Sequence, residues 1–223
     1  MLKNPPVNLL GRSEVKQKNP SKMIETVIFD LGGVLIDWDP RNMYRKIFSD
    51  EAAMEDFLAN VTTMDWNEQQ DAGYPLADAT RELIAVHPEF EAEIRAYYER
   101  WTEMLNGAMQ ETVDILTEIY EGKKYRLYAL TNWSGELFHH ARERYDFLQY
   151  FEGIVVSGDE QMKKPDIRIY DLISNRYDIN SETAIFVDDN ARNIKAAATT
   201  GLKTIHFKSA EQTRKELEAF GVL

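Results

Sequence analysis

Thr26-Val27-Ile28-Phe29-Asp30-Leu31-Gly32-Gly33-Val34-Leu35 is the stretch that decides the fold. Residues 26–29 are apolar without alternation, so both faces of the segment must be covered, as in a strand inside a parallel sheet. The run ends at a carboxylate, Asp30. Four further short runs follow the same plan: Leu127–Leu130 ends at Thr131, Gly153–Val156 at Ser157, Ala184–Val187 at Asp188, and Thr204–Phe207 closes the series. Between them lie helical patterns. Val113, Leu116, Ile119 and Tyr120 recur at helical spacing over Glu111–Glu121. Pro165 stands where a helix is expected to begin, ahead of Ile169, Leu172 and Ile173. Gly201 follows 193–200 as a terminating glycine. Strand and helix in alternation predict an α/β domain with a doubly wound parallel sheet.

Residues 40–106 interrupt that alternation. They carry no strand pattern, only helical spacing of Leu58, Val61, Leu83, Ile84, Phe90, Ile94, Tyr97, Tyr98 and Trp101. The expected organisation is therefore a tail over 1–22, a core over 23–39 and 107–223, and an inserted all-helical unit over 40–106. Ligands of open α/β sheets bind at the carboxyl ends of the strands, so an insertion leaving the end of the first strand would hang over the site as a lid. The tail has Pro5, Pro6 and Pro20 with five basic residues, and its apolar stretch Val7–Leu10 is too short for a secretory signal. Met23, just before the first strand, is a plausible translation start, and a cytoplasmic location is expected.

Composition narrows the classes. The 223 residues contain no cysteine, which removes disulfide scaffolds, thiol nucleophiles and cysteine metal sites. A net charge of −12, from 38 acidic and 26 basic residues, argues against a nucleic-acid binder, whose affinity rests on dense Lys and Arg. No apolar run approaches the roughly 20 residues of a membrane helix. His87, His139, His140 and His206 show no metal-ligand spacing, and the eight Met read as core fillers.

The chemistry lies in the strand ends. Asp30, Thr131–Asn132, Ser157 and Asp188–Asp189, with Lys163–Lys164 shortly after the third, converge on one edge of the expected sheet. Singly, each is an ordinary turn former or surface charge. Together, an adjacent pair of carboxylates beside Asp30 repels itself unless a cation is present, and oxygen ligands favour Mg²⁺.

The set also resembles a known family. Phe29-Asp30-Leu31-Gly32-Gly33-Val34-Leu35 resembles the first motif of the haloacid dehalogenase superfamily of aspartyl-nucleophile hydrolases. Leu130-Thr131-Asn132 resembles its second, Lys164-Pro165-Asp166 its third, and Val187-Asp188-Asp189-Asn190 with Asn193 its fourth. The resemblance covers about residues 24–210, and the insertion is similar to the family's C1 helical cap. The subgroup most like it includes the phosphatase domain of soluble epoxide hydrolase and sugar-1-phosphate phosphatases. The resemblance implies Asp30 as nucleophile, Mg²⁺ held by Asp30, the Gly32 carbonyl, Asp189 and Asp188, phosphate held by Thr131 and Asn132, and Lys164 as a charge on both nucleophile and phosphate.

One position departs from the pattern. The family's phosphatases and mutases usually carry a second Asp two residues after the nucleophile, which protonates the leaving oxygen and then activates water. Here that residue is Gly32. Dehalogenases of the family lack this Asp too, but they also lack the acidic pair, so Asp188–Asp189 speaks against dehalogenation. An anomeric leaving group needs an acid less, which favours sugar 1-phosphates. Asp37 and Asp39 either replace the acid or cap the next helix. Trp66, within Asp65-Trp66-Asn67-Glu68, either faces a sugar ring or packs the cap, and Trp133 is expected at the pocket mouth.

The resulting expectation is a Mg²⁺-dependent phosphatase of small phosphorylated metabolites, sugar phosphates first, acting as monomer or homodimer without nucleic acid or membrane. The alternatives are a phosphosugar mutase and a phospho-ligand binding module.

Overall fold

The structure, a computed structural model, describes residues 23–223, and the tail expected over 1–22 lies outside the described residues. After β1 (Thr26–Phe29) and β2 (Ile36–Trp38) come five helices, α1 (Arg41–Tyr44), α2 (Glu51–Asn60), α3 (Met64–Asp71), α4 (Leu76–Val86) and α5 (Glu91–Glu99). The chain then runs β3 (Leu105–Ala108), α6 (Gln110–Gly122), β4 (Arg126–Thr131), α7 (Phe138–Arg144), β5 (Gly153–Val156), α8 (Ser157–Glu160), α9 (Ile167–Arg176), β6 (Ala184–Asp188), α10 (Ala191–Thr199), β7 (Lys203–His206) and α11 (Ala210–Ala219).

Five strands form one parallel sheet in the order β5-β4-β1-β6-β7. β1 is central, with Phe29 level with Ala129 on one side and Val187 on the other, and all four of its residues are buried. Successive side chains leave opposite faces. Val27, Phe29, Leu127, Ala129, Ile185 and Val187 feed one apolar cluster, and Ile28, Tyr128, Leu130 and Phe186 feed the other. Helices cover both faces, and each Val, Ile, Leu or Phe among these contributes about 1.5–3 kcal/mol by leaving water. The chain winds outward from β1 through β4 to β5, then crosses to β6 and β7 on the other side. The order therefore reverses beside β1, where a crevice opens at the carboxyl ends of the strands. Asp30 follows β1 and Asp188–Asp189 end β6, on the two walls of that crevice.

Two local features differ from expectation. The root of the insertion carries an antiparallel ribbon of β2 and β3, pairing Ile36 with Ala108 and Asp37 with Gly107. Strands of three and four residues containing Asp37, Asn106 and Gly107 present too few apolar positions to alternate. Pro165 does not open a helix. Asp166 caps α9 by accepting from the Arg168 N–H at 3.0 Å, so the helix starts at Ile167.

α1–α5 pack around aromatic rings. Tyr44 meets Phe57 edge-on at 5.1 Å, and Trp66 meets Tyr97 edge-on at 5.1 Å. Asp50 caps α2, and Thr63 caps α3 through the Trp66 N–H. Trp101 closes on Trp133 of the sheet side at 5.1 Å, so the apolar cluster is continuous from the helical insertion into the sheet domain. Among the described residues no helix is long and apolar enough to cross a membrane.

Candidate active site

Asp30, Asp188 and Asp189 each offer a carboxylate oxygen, and these oxygens lie within 4.8 Å of one another. Lys164, 1% exposed, places its ammonium against two of them. It is 2.8 Å from Asp30 Oδ1, 2.7 Å from Asp188 Oδ2 and 2.9 Å from the Leu130 carbonyl. The Leu31 N–H also donates to Asp30 Oδ1 at 2.8 Å, which fixes the carboxylate at the end of β1.

Three carboxylates against one ammonium leave net negative charge at the site, and two of the three, Asp30 and Asp188, are buried. Burial pushes the Asp30 carboxyl well above the usual range; Lys164 pulls it back, and Asp188 and Asp189 push it up again. Asp189 is raised by burial and then by Asp188. Burial would lower the Lys164 ammonium, but Asp188 and Asp30 outweigh it and hold the group above its ordinary value. Such a cluster of hard oxygen donors suits a divalent cation.

The two members of the acidic pair are used differently. Asp188 is fully buried and accepts from Lys164, from the Asn190 N–H at 2.8 Å and from Asn193 Nδ2 at 3.0 and 3.1 Å. Its oxygens are committed to orienting Lys164 and the start of α10. Asp189 is the more open one. Its carboxylate lies against Gly33, whose φ is +73°, and a Cβ there would overlap Asp189 Oδ2. The glycine pair thus lets the backbone pass close to the acidic cluster. Among the described residues the Gly32 carbonyl accepts no backbone hydrogen bond, which leaves it available to a cation.

The cluster opens into a cavity of about 310 Å³. Asp30, Gly32, Gly33, Asn132, Asp189, Asn190 and Asn193 line its polar end, and Trp38, Met64, Tyr98, Trp101, Trp133 and Leu137 line its apolar walls. Trp133 is among these lining residues, and its backbone N–H donates to Ser157 Oγ at 2.9 Å. Asn132 lines the cavity, but its side chain is clasped to the Lys164 backbone, donating at 3.0 Å and accepting at 2.8 Å. Thr131 is 1% exposed, and its hydroxyl has no hydrogen-bond partner. A buried unpaired hydroxyl at the end of β4 is a standing deficit that an anionic oxygen would remove.

Trp66 does not line this cavity; its ring packs on Tyr97 and Tyr98. The reason is helical phase. Met64, Asn67, Glu68 and Asp71 face the cavity at i, i+3, i+4 and i+7 of α3, and Trp66 falls on the opposite side. The same spacing could have singled out Asp71 in the sequence, which reading the motifs alone missed. Asp37 and Asp39 are not in the cavity either. Asp37 accepts from Asn106 Nδ2 at 2.7 Å, and Asp39 caps the turn at Arg41 at 2.9 Å.

α3 is fastened to the sheet domain. Glu68 pairs with Lys163 at 2.5 Å and Arg192 at 2.8 Å. Ser157 Oγ donates to the Asp71 carbonyl, and a side chain at Gly73 would stand 2.8 Å from the Gly158 carbonyl oxygen. Asp71 is half-buried in the cavity wall and accepts from Asn67 Nδ2 at 3.2 Å.

Comparison with known proteins agrees with this architecture. The family of haloacid dehalogenase-like hydrolases matches residues 27–207. A sesquiterpene phosphatase of Aspergillus oryzae is 28% identical over 193 residues, covering 86% of this chain and 94% of its own. A phosphorylated-carbohydrate phosphatase of Thermotoga maritima is 23% identical over 188 residues, covering 82% and 84%. A haloacid dehalogenase family enzyme of Bacteroides thetaiotaomicron, solved with magnesium and inorganic phosphate, shares the fold. Its TM-score is 0.62 at 24% identity, over 83% of this chain and 94% of that one.

Proposed function

The chain belongs to the haloacid dehalogenase-like hydrolases, and from that premise we propose that it is a Mg²⁺-dependent phosphatase of small phosphorylated metabolites, with Asp30 as nucleophile. The observation that carries this reading is the buried Asp30–Lys164–Asp188 array opening, with Asp189, on one cavity. Asp30, Asp189 and the Gly32 carbonyl would hold Mg²⁺, with Asp188 behind them. The bound ion neutralises charge that would set an attacking carboxylate against an anionic phosphate.

The chain's own residues do the rest. The Leu31 N–H and Lys164 converge on Asp30 Oδ1, leaving Oδ2 for attack on phosphorus and formation of an aspartyl-phosphate. Lys164 keeps its proton, because two carboxylates hold it charged, and it offsets negative charge on the phosphoryl group. Thr131 supplies the unpaired hydroxyl to a phosphate oxygen. Asp188 positions Lys164.

For the substrate, sugar phosphates such as a hexose 1-phosphate are the first choice. The cavity is of single-sugar size, and Trp38, Trp101 and Trp133 give it ring planes. A second class, phosphates of apolar alcohols, is favoured by Met64 and Leu137 in the same wall and by the likeness to a sesquiterpene phosphatase. A phosphosugar mutase and a non-catalytic binding module are the alternative outcomes. We place the enzyme in the cytoplasm, as monomer or homodimer, with residues 40–106 acting as the cap.

The test is phosphate release from a panel of sugar phosphates, isoprenyl monophosphates and 4-nitrophenyl phosphate with Mg²⁺, before and after EDTA. Metal-dependent release that disappears in Asp30→Asn supports the reading. Appearance of a phosphosugar isomer indicates a mutase, and binding without turnover indicates a module.

A further inference from the structure

Position 32 leaves the proposed reaction without a group to handle protons. Gly32 has no side chain, and Asp37 and Asp39 are engaged outside the cavity. Asp189, which faces the cavity without an ion pair, is assigned to the cation, and one further carboxylate faces the cavity without an ion-pair partner among the described residues. Asp71, at the end of α3, shares the cavity with Asp30, Gly32 and Asp189. By contrast Glu68, one turn earlier, is paired with Lys163 and Arg192.

We propose that Asp71 is the general acid and base of this site, supplied by the helical insertion in place of the side chain missing at Gly32. The proposal rests on the phosphatase reading above. In the first step Asp30 Oδ2 bonds to phosphorus, the bond from phosphorus to the leaving oxygen breaks, and that oxygen takes its electron pair and the Asp71 proton. In the second step water bonds to phosphorus and gives a proton to the Asp71 carboxylate. The Asp30–phosphorus bond breaks, and its electron pair returns to the Asp30 carboxylate.

The surroundings of Asp71 suit both halves. The Asn67 amide holds Oδ2 at 3.2 Å. The backbone at Asp71 is bolted to the sheet domain through Ser157, and Glu68 ties the same helix to Lys163 and Arg192. The carboxyl is therefore presented to the cavity from a fastened helix end. Burial first, then Glu68, push its pKa up, while Lys163, Lys164 and the Ser134 backbone N–H pull it down; the balance is about 7. A group near neutrality can give and take a proton at working pH. With this acid the site is no longer restricted to anomeric leaving groups.

The experiment measures kcat/KM for phosphate esters graded from 4-nitrophenol to a primary alcohol, across pH, in wild type, Asp71→Asn and Asp71→Glu. Wild type should depend weakly on the leaving alcohol and lose activity as pH rises past about 7. Asp71→Asn should lose about 10²–10⁴-fold on the alkyl ester, far less on 4-nitrophenyl phosphate, and should lack that pH limb. Asp71→Glu should recover part of the alkyl activity, which separates proton transfer from packing. Equal losses across the ester series, or an unchanged pH limb in Asp71→Asn, would overturn the proposal. A wild type that releases no phosphate would instead overturn the phosphatase reading itself.

Discussion

Lys164 donates to Asp188 at 2.7 Å, and neither side chain reaches solvent. The pair joins the loop before α9 to the end of β6, and Lys164 carries the link on to Asp30. Removing one partner of a buried ion pair leaves an uncompensated charge, which costs about 3–5 kcal/mol. Lys164→Met should therefore lower the unfolding free energy measured by urea denaturation by that amount, as well as abolish turnover. Adding Asp188→Asn to it should restore part of the stability and none of the activity. A single variant within about 1 kcal/mol of wild type would show that the lysine is not what holds the two carboxylates together.

Gly33 offers a second, more selective handle. Its φ of +73° disfavours any other residue, and a Cβ would overlap the Asp189 carboxylate. Gly33→Ala should displace Asp189 while leaving Lys164 with Asp30 and Asp188. The expected result is weaker Mg²⁺ activation, by about tenfold or more in the half-saturating concentration, a change worth about 1.4 kcal/mol. Isothermal titration of Mg²⁺ into the two proteins checks this. Unchanged affinity would remove Asp189 from the ligand set.

The sheet and its polar strand ends were readable because their signals are local. β1 is apolar on both faces and stops at Asp30, and the same grammar repeats at Thr131 and Asp188. The β2–β3 ribbon was not readable, since pairing between Asp37 and Gly107 is set by the packing of everything between them. The cap side of the site was half-readable. Asn67 and Glu68 line the cavity, whereas the Trp66 ring beside them packs on Tyr97. Whether a helix face meets solvent, its own bundle or the sheet domain depends on docking, which Ser157, Lys163 and Arg192 determine from far along the chain.

The space beside Gly32 makes a gain-of-function prediction possible. Beyond the neighbouring residues no atom lies within 4 Å of the place where a Cβ would stand, so the Cβ of Gly32→Asp meets open space. In the Asp71→Asn background it should recover about tenfold or more of the lost alkyl-ester turnover, within the range one general acid supplies. Steady-state rates on a primary-alcohol phosphate are the readout. No recovery, in a variant that still binds phosphate, would mean that a carboxyl at 32 cannot reach the leaving oxygen here.

Asp71 should cost the fold stability at the pH where it works. Its carboxyl titrates near 7 in the folded chain against 3.8 for an ordinary one, so between those values the folded state holds more protons than the unfolded state. Stability then falls as pH rises through the window, because ∂ΔG/∂pH follows the protons bound in the unfolded minus the folded state. Asn at 71 cannot ionise and escapes that loss. Asp71→Asn should match wild type near pH 4 and exceed it by about 1–2 kcal/mol at pH 8, a figure kept below the full shift because the group is half-buried. Comparing the two proteins removes the common titration of Asp30 and Asp189. Chemical denaturation at both pH values checks the difference, and a gap that does not widen with pH would show that residue 71 titrates as an ordinary surface carboxylate.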